Sequence, residues 1–268
     1  MGWTERQRRM LAEMGLPPWL APAAAPEVAG APATAVSAVA AEAAVALDAV
    51  APPPLAAIAP PPPMPAVSQA APVLAEVDWV PLRAAVQACT ACPLSGSRTQ
   101  TVFGVGHPQA DWMIVGEAPG EQEDRLGEPF VGRSGQLLDN MLRALGLART
   151  DGPPDRQVYI ANTLKCRPPG NRNPTPEELA KCEPFLVRQI ALVRPKIILA
   201  MGRFAVQSLL RSSDPIGRLR GHVHRYEGVP LIVTYHPAYL LRNPEEKARA
   251  WDDLCLALET CRTASPAT

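Results

Sequence analysis

Four of the six cysteines are spaced so that their thiols can meet. Cys89-x-x-Cys92 brings two sulfurs to one centre, and Cys166 and Cys182 form a second pair with fifteen residues between them. Disulfides are rare in cytosolic proteins, so such spacing reads as metal or redox chemistry. A redox Cys-x-x-Cys opens a helix in a thioredoxin-like unit, whereas Cys89 and Cys92 close a helical stretch far from any strand. Four thiolates in two pairs suit either zinc or an iron–sulfur cluster, and spacing alone does not separate the two. Cys255 and Cys261 fall in the last helical stretch and read as packing residues.

A second group of chemistry-bearing residues lies in Ala110–Phe130. The apolar strand Trp112–Val115 runs straight into Gly116-Glu117-Ala118-Pro119-Gly120, followed by an acidic run and Pro129-Phe130. Open α/β sheets bind ligands outside the carboxyl ends of their strands. Glycine lets the backbone approach a ligand closely, proline stiffens the turn, and Glu117 supplies a carboxylate.

The elements that must position these groups follow from periodicity. Four strands are predicted: Trp112–Val115, Gln157–Ala161, Lys196–Ala200 and Leu231–Tyr235. Helical patterns lie between them. Trp79–Ala88 is a short helix. Ser134 is expected to cap a helix with Leu137, Leu138, Met141, Leu142 and Leu145 on one face, stopped by Gly146. Thr175-Pro176-Glu177-Glu178 has capping-box form, and Pro184 should kink or end that helix, with Cys182 one turn into it. Arg203–Leu210 is a further helix, and Asn243-Pro244-Glu245-Glu246 opens the last. Near-continuous apolar strands alternating with helices predict one α/β domain whose parallel sheet is covered on both faces.

The amino-terminal part differs. Fourteen of the 32 prolines fall between Pro17 and Pro72, where Glu27, Glu42 and Asp48 are the only charges after Leu20. Such Ala/Pro composition reads as a disordered linker over residues 21–76. Residues 1–20 form a basic amphipathic segment with Arg8, Arg9, Met10, Leu11, Met14 and Trp19. A sticky peptide on a tether reads as a docking element for a replication or repair protein. It resembles the amino-terminal peptide of the bacterial clamp-loader psi subunit. The folded domain is expected over residues 77–262, with a tail at 263–268. Neither a signal pattern nor a membrane span is visible, so a cytoplasmic monomer is expected. The formal net charge is zero, yet Arg156–Arg225 holds thirteen Lys/Arg against four Asp/Glu. That imbalance suggests a polyanionic partner.

Four motifs now agree in order and spacing. They are Gly116-Glu117-Ala118-Pro119-Gly120, Glu128-Pro129-Phe130-Val131-Gly132, Asn162-Thr163-Leu164-Lys165-Cys166-Arg167-Pro168-Pro169, and His236-Pro237-Ala238-Tyr239-Leu240-Leu241-Arg242. With the four cysteines, they closely resemble the type 4 (iron–sulfur) uracil-DNA glycosylases over roughly residues 77–262. The resemblance implies a 4Fe–4S cluster on Cys89, Cys92, Cys166 and Cys182. It also implies a three-layer α/β/α fold with a four-stranded parallel sheet.

The implied chemistry is hydrolysis of the N-glycosidic bond of deoxyuridine flipped out of DNA, leaving an abasic site. Phe130 matches the family's stacking residue. Asn162 matches the base reader, because an amide offers both a donor and an acceptor to uracil O4 and N3–H. His236 is expected to donate to uracil O2 as the base departs with negative charge. The better-known family 1 enzymes carry an Asp where this chain has Ala118. Glu117 is thus the remaining candidate to position water or support the sugar cation. Gly116, Glu117, Ala118 and Glu123 are expected to line the uracil pocket, with Glu121 and Asp124 also candidates to wall it against a thymine methyl. Leu240, Leu241 and Arg242 resemble the wedge that fills the space left by a flipped base. The family branch that traps abasic DNA does so through a histidine in a basic insertion. The equivalent stretch here, Pro169–Pro174, has none, which predicts turnover.

Two other readings compete. One is a non-catalytic Fe–S module that binds damaged DNA without cutting it. A zinc hydrolase is disfavoured, because four cysteines would close the metal site.

Overall fold

The computed structural model describes residues 74, 76–150 and 152–263. The expectations for residues 1–20, for most of 21–76 and for the final tail lie outside these residues. Among the described residues the chain forms one six-stranded sheet: β1 (Val105–Gly106), β2 (Trp112–Gly116), β3 (Val158–Asn162), β4 (Ile197–Met201), β5 (Val223–Tyr226) and β6 (Val229–Thr234). The strand order is β1-β3-β2-β4-β6-β5.

The four inner strands are parallel and lie within two residues of the predicted spans. The sheet as a whole is mixed and has six strands, because an antiparallel strand is added at each edge. Both additions are weak signals in sequence. β1 has only two residues, and β5 alternates half-exposed positions in Val-His-Arg-Tyr. β5 and β6 are joined by Glu227-Gly228, both at positive φ (47° and 87°), the geometry of a tight hairpin whose usual signature is Asn-Gly or Asp-Gly.

Helices cover both faces: α1 (Trp79–Ala88), α2 (Glu121–Leu126), α3 (Arg133–Ala144), α4 (Pro176–Val193), α5 (Arg203–Leu210), α6 (Ile216–Leu219), α7 (Pro237–Arg242) and α8 (Lys247–Thr263). On one face Trp112, Ile114, Ile160 and Leu199 pack with Leu138 and Met141 of α3 and with Trp251 and Leu254 of α8. On the other, Met113, Val115, Ala161 and Ile198 pack with Ile190 of α4 and Val206 of α5. Period-two strands thus feed two separate cores, one per face. A third cluster joins Leu82 and Val86 of α1 to Leu164 and Phe185 beside Cys166 and Cys182.

Three local expectations are corrected. Gly132, not Ser134, caps α3. The backbone N–H groups of Val131 and Gly132 both donate to Glu123 Oε1 (3.0 and 3.2 Å), so the helix starts earlier and Ser134 sits in its first turn. Pro184 does not end α4, which runs on to Val193. Burial of Phe185, Leu186, Gln189 and Ile190 outweighs the roughly 3 kcal/mol that an interior proline costs. Because Pro176 opens α4, Cys182 is its seventh residue, nearly two turns in. Its Thr175–Glu178 capping box forms as expected, with Thr175 Oγ1 accepting from Glu178 N (3.3 Å).

No helix among the described residues is long and apolar enough to cross a membrane.

Candidate active site

β2 runs into Glu117, β3 ends at Asn162, β4 runs into Gly202, and β6 runs through Tyr235 into His236. All of these residues line one cavity of about 870 Å³. The carboxyl edge of the parallel strands therefore gathers what sequence spread over 120 residues. Glu117, Ala118, Glu123, Phe130, Asn162, His236 and Arg242 all reach this cavity.

Gly116, expected to line the pocket, is not among its lining residues but abuts two that are. A Cβ there would lie 2.4 Å from Asn162 Oδ1 and 2.6 Å from Phe130 Cζ, so the strand end must be glycine for both side chains to fit. Asn162 is buried, and its Oδ1 has no hydrogen-bond partner. An open buried acceptor costs about 1–3 kcal/mol until a donor arrives.

Phe130 is buried with its backbone in the left-handed region (φ 56°), which a bulky residue rarely adopts. Two clamps hold it. Arg149 donates to the carbonyls of Pro129 (2.9 Å) and Phe130 (3.0 Å) while pairing with Asp139 (2.7 Å). Glu123 accepts from Gly120 N (3.1 Å) with one oxygen and from Val131 and Gly132 with the other. Glu123 thus lines the cavity but spends its carboxylate on the backbone of the loop. Asp124 is buried with both oxygens on Thr99 N (3.0 Å), outside the cavity lining.

His236 caps α7. Its Nδ1 accepts from Ala238 N (3.1 Å), which leaves the proton of the neutral ring on Nε2. Gly202, at φ 89°, places a would-be Cβ 3.1 Å from His236 Cβ, so glycine there permits the ring's close seating. Burial, with the nearby Arg242 charge, lowers the imidazole pKa to about 4, against a smaller opposing pull from Glu123. The Glu117 carboxyl is pushed up by burial, with Arg203 opposing. The Glu117 backbone carbonyl accepts from Leu164 N (3.0 Å), stitching the glycine loop to the segment after Asn162.

The expected wedge divides. Leu240 is fully buried in the core against the sheet, because the phase of α7 turns it inward, so it does not reach solvent. Leu241 is exposed. Tyr239 stacks on Tyr235 at the cavity rim (5.0 Å, 24°). Of the thirteen basic residues in 156–225, Arg172 and Arg203 line the cavity. Lys165 is buried, and Lys196, Arg211 and Arg220 pair with Asp111, Glu183 and Asp253.

The family model for the Uracil DNA glycosylase superfamily matches residues 103–255. A type-4 uracil-DNA glycosylase of Archaeoglobus fulgidus is 43% identical over 189 residues, covering 68% of this chain and 92% of that protein. The chain belongs to the uracil-DNA glycosylase superfamily. A type-4 uracil-DNA glycosylase of Thermotoga maritima is 45% identical over 166 residues (61% of this chain, 83% of that protein). A type-5 uracil-DNA glycosylase of Pyrobaculum aerophilum is 33% identical over 179 residues (57% and 79%). The higher identities place the chain with the type-4 proteins of the superfamily.

In this glycosylase-family domain the four cysteines line a second, small cavity together with Val86, Arg98 and Phe185. Arg98 Nη1 donates to Cys166 Sγ (3.0 Å) and the Lys165 N–H to Cys182 Sγ (3.2 Å). Among the described residues no group of three or more His, Cys, Asp or Glu is placed to hold a metal ion. Cys255 and Cys261 lie in α8, partly buried against the core, as expected.

Arg149, Lys165 and Gln189 were not legible as site residues. Lys165 stands inside the Asn162–Pro169 motif, but its acceptor Gln189 in α4 and the carbonyls that Arg149 holds are set only by the fold.

Proposed function

We propose that this chain removes uracil from DNA by hydrolysing the N-glycosidic bond. The observation that carries the reading is the buried, unpartnered Oδ1 of Asn162, set between Gly116 and Phe130 at the cavity floor. Uracil presents N3–H, a donor that fills this acceptor, and O4, an acceptor for the amide N–H groups. Cytosine presents an acceptor at N3 and leaves the site unsatisfied. A base reaches this depth only when flipped out of the stack.

The remaining residues supply the chemistry. Phe130 offers its ring for stacking. The His236 Nε2–H is a pre-placed donor for O2 as uracil leaves with the bonding electron pair, and a neutral imidazole loses no proton in doing so. Glu117 orients the water whose oxygen forms the new bond to C1′, and its carboxylate offsets the positive charge on the sugar. Burial raises its pKa, which makes the carboxylate a better proton acceptor than an exposed one. Leu241 and Arg242 reach toward the duplex from α7.

The four cysteines fit an iron–sulfur cluster of the 4Fe–4S type. The four thiols around one cavity are the donor set such a cluster uses, and the N–H donors aimed at two of the sulfurs would tune it. Bound there, the cluster would tie the segment after α1 to the segment after β3 and to α4. Residues 1–20 serve in this reading as a docking peptide for a replication or repair protein.

A uracil-containing oligonucleotide incubated with the protein and then with alkali tests the function. Strand scission at uracil is expected. DNA that is bound but stays alkali-stable would instead favour a non-catalytic binding module.

A further inference from the structure

Lys165 lies three residues after the base reader, and its side chain is buried to 1% exposure. Its Nζ donates to the backbone carbonyl of Asn162 (2.7 Å) and to Gln189 Oε1 (2.6 Å). Gln189, fully buried in α4, is itself held by the Phe103 carbonyl (2.8 Å) and the Tyr159 hydroxyl (3.1 Å), to both of which its Nε2 donates. The Lys165 backbone is equally committed. Its N–H donates to Cys182 Sγ and its carbonyl accepts from Val102 N (2.8 Å).

A buried ammonium is costly unless every proton finds an acceptor, and an apolar residue would fill the same space without that cost. What the lysine adds is a charge-assisted bond, roughly twice as strong as a neutral one, to the last carbonyl of β3. That carbonyl sets the peptide plane following Asn162 and hence the direction in which its Cα–Cβ bond leaves the strand. The Asn162 Oδ1 has no partner of its own. Its aim therefore rests on the backbone beneath it and on the close packing of Gly116 and Phe130 beside it. Register on β2 fixes one side, through Gly116 opposite Asn162 and Thr163 N on the Gly116 carbonyl (3.0 Å). Lys165 fixes the other.

We propose that Lys165 is a positioning residue for uracil recognition: anchored on Gln189 and beside Cys182, it holds the Asn162 carbonyl and thereby aims the amide that reads the base. The proposal rests on Asn162 being the reader. It separates from a merely structural role because the lysine's effect should pass through Asn162 and nowhere else.

A double-mutant cycle in the full chain tests it. Single-turnover uracil excision is measured for the parent, Lys165→Met, Asn162→Ala and the double variant. Visible absorbance and thermal melting check that each is folded. Misplacing a reacting group by an ångström costs on the order of 100-fold, so Lys165→Met should slow excision by about that factor while remaining coloured and folded. Its ratio of uracil to cytosine excision should fall as well. In the Asn162→Ala background the lysine substitution should have no further effect. If the two losses instead multiply, Lys165 acts independently of the reader and the proposal is overturned. If Asn162→Ala alone keeps the parental rate, the reader assignment itself fails. Should Lys165→Met not fold, Gln189→Met removes the lysine's other acceptor. The same cycle then applies: no further loss beside Asn162→Ala supports the proposal, and multiplying losses overturn it.

Discussion

The rings of Phe130 and His236 stack on one another, with centroids 5.3 Å apart and planes 28° from parallel. The residue expected to stack on the base and the residue expected to stabilise its departure thus share a face. Phe130 is part of the wall that fixes the imidazole plane, and the strained turn behind it is clamped by Arg149 and Glu123. Removing the ring should act twice, on base stacking and on the orientation of the donor.

Phe130→Ala is therefore expected to lose at least the 1–3 kcal/mol typical of one base–aromatic stack, roughly a 5- to 150-fold fall in excision. The measurement is single-turnover release from a uracil oligonucleotide. An unchanged rate in a folded variant would show that the ring is only core.

Gly116→Ala tests the cavity floor. Its new Cβ would fall 2.4 Å from Asn162 Oδ1 and 2.6 Å from Phe130, so both side chains must move. Excision should drop by about 100-fold or more, the cost of misplacing reacting groups by an ångström. Binding of undamaged duplex, which does not enter the pocket, should persist; titration by fluorescence anisotropy checks it.

The acid–base behaviour has two signs. In the proposed mechanism Glu117 acts as a carboxylate, and burial lifts its pKa, so activity should be lost as pH falls, at a higher pH than for an unperturbed carboxylate. Glu117→Gln should abolish that limb and slow the reaction by about 100- to 10,000-fold. In that mechanism His236 works as the neutral ring, a form it keeps down to about pH 4, so it should add no limb between pH 5 and 8. For stability, its folded pKa lies below its ordinary value of 6.5. The native state should therefore lose stability as pH falls from about 6.5 toward 4, by up to roughly 3 kcal/mol. Denaturant melts of His236→Asn should lack this slope.

The four parallel strands were legible because each is a largely apolar run whose central residues are buried on both faces, and their carboxyl ends then placed Gly116, Asn162 and His236 together. The edge strands were not. A two-residue strand carries no period, and Glu227-Gly228 lacks the usual hairpin dipeptide. Motifs found the groups that face the base but not those that hold them. Arg149 reaches Phe130 across 19 residues and Gln189 reaches Phe103 across 86, distances over which sequence carries no local signal. Leu240 and Leu241 are adjacent in sequence, and only the helix phase decides that the first is core and the second exposed.

Cys182→Ala removes a thiol from the cavity where residues from the α1 end, the post-β3 segment and α4 meet. If these cysteines hold an iron–sulfur cluster, the parent should be brown with stoichiometric iron and sulfide. The variant should lose colour and give less folded protein, because metal binding contributes folding free energy. Stoichiometric zinc in a colourless, anaerobically prepared parent would overturn the iron assignment.

In the proposed mechanism the His236 Nε2–H stabilises departing uracil, acting in the transition state rather than in binding. His236→Ala in single-turnover excision, with affinity for uracil-containing DNA measured on the same sample, tests this most directly. Loss of one such donor typically costs about 2.7–4 kcal/mol, so the rate should fall roughly 100- to 1,000-fold while affinity barely changes. An affinity that collapses while the rate at saturating enzyme survives would contradict the mechanism, making His236 a residue that grips DNA.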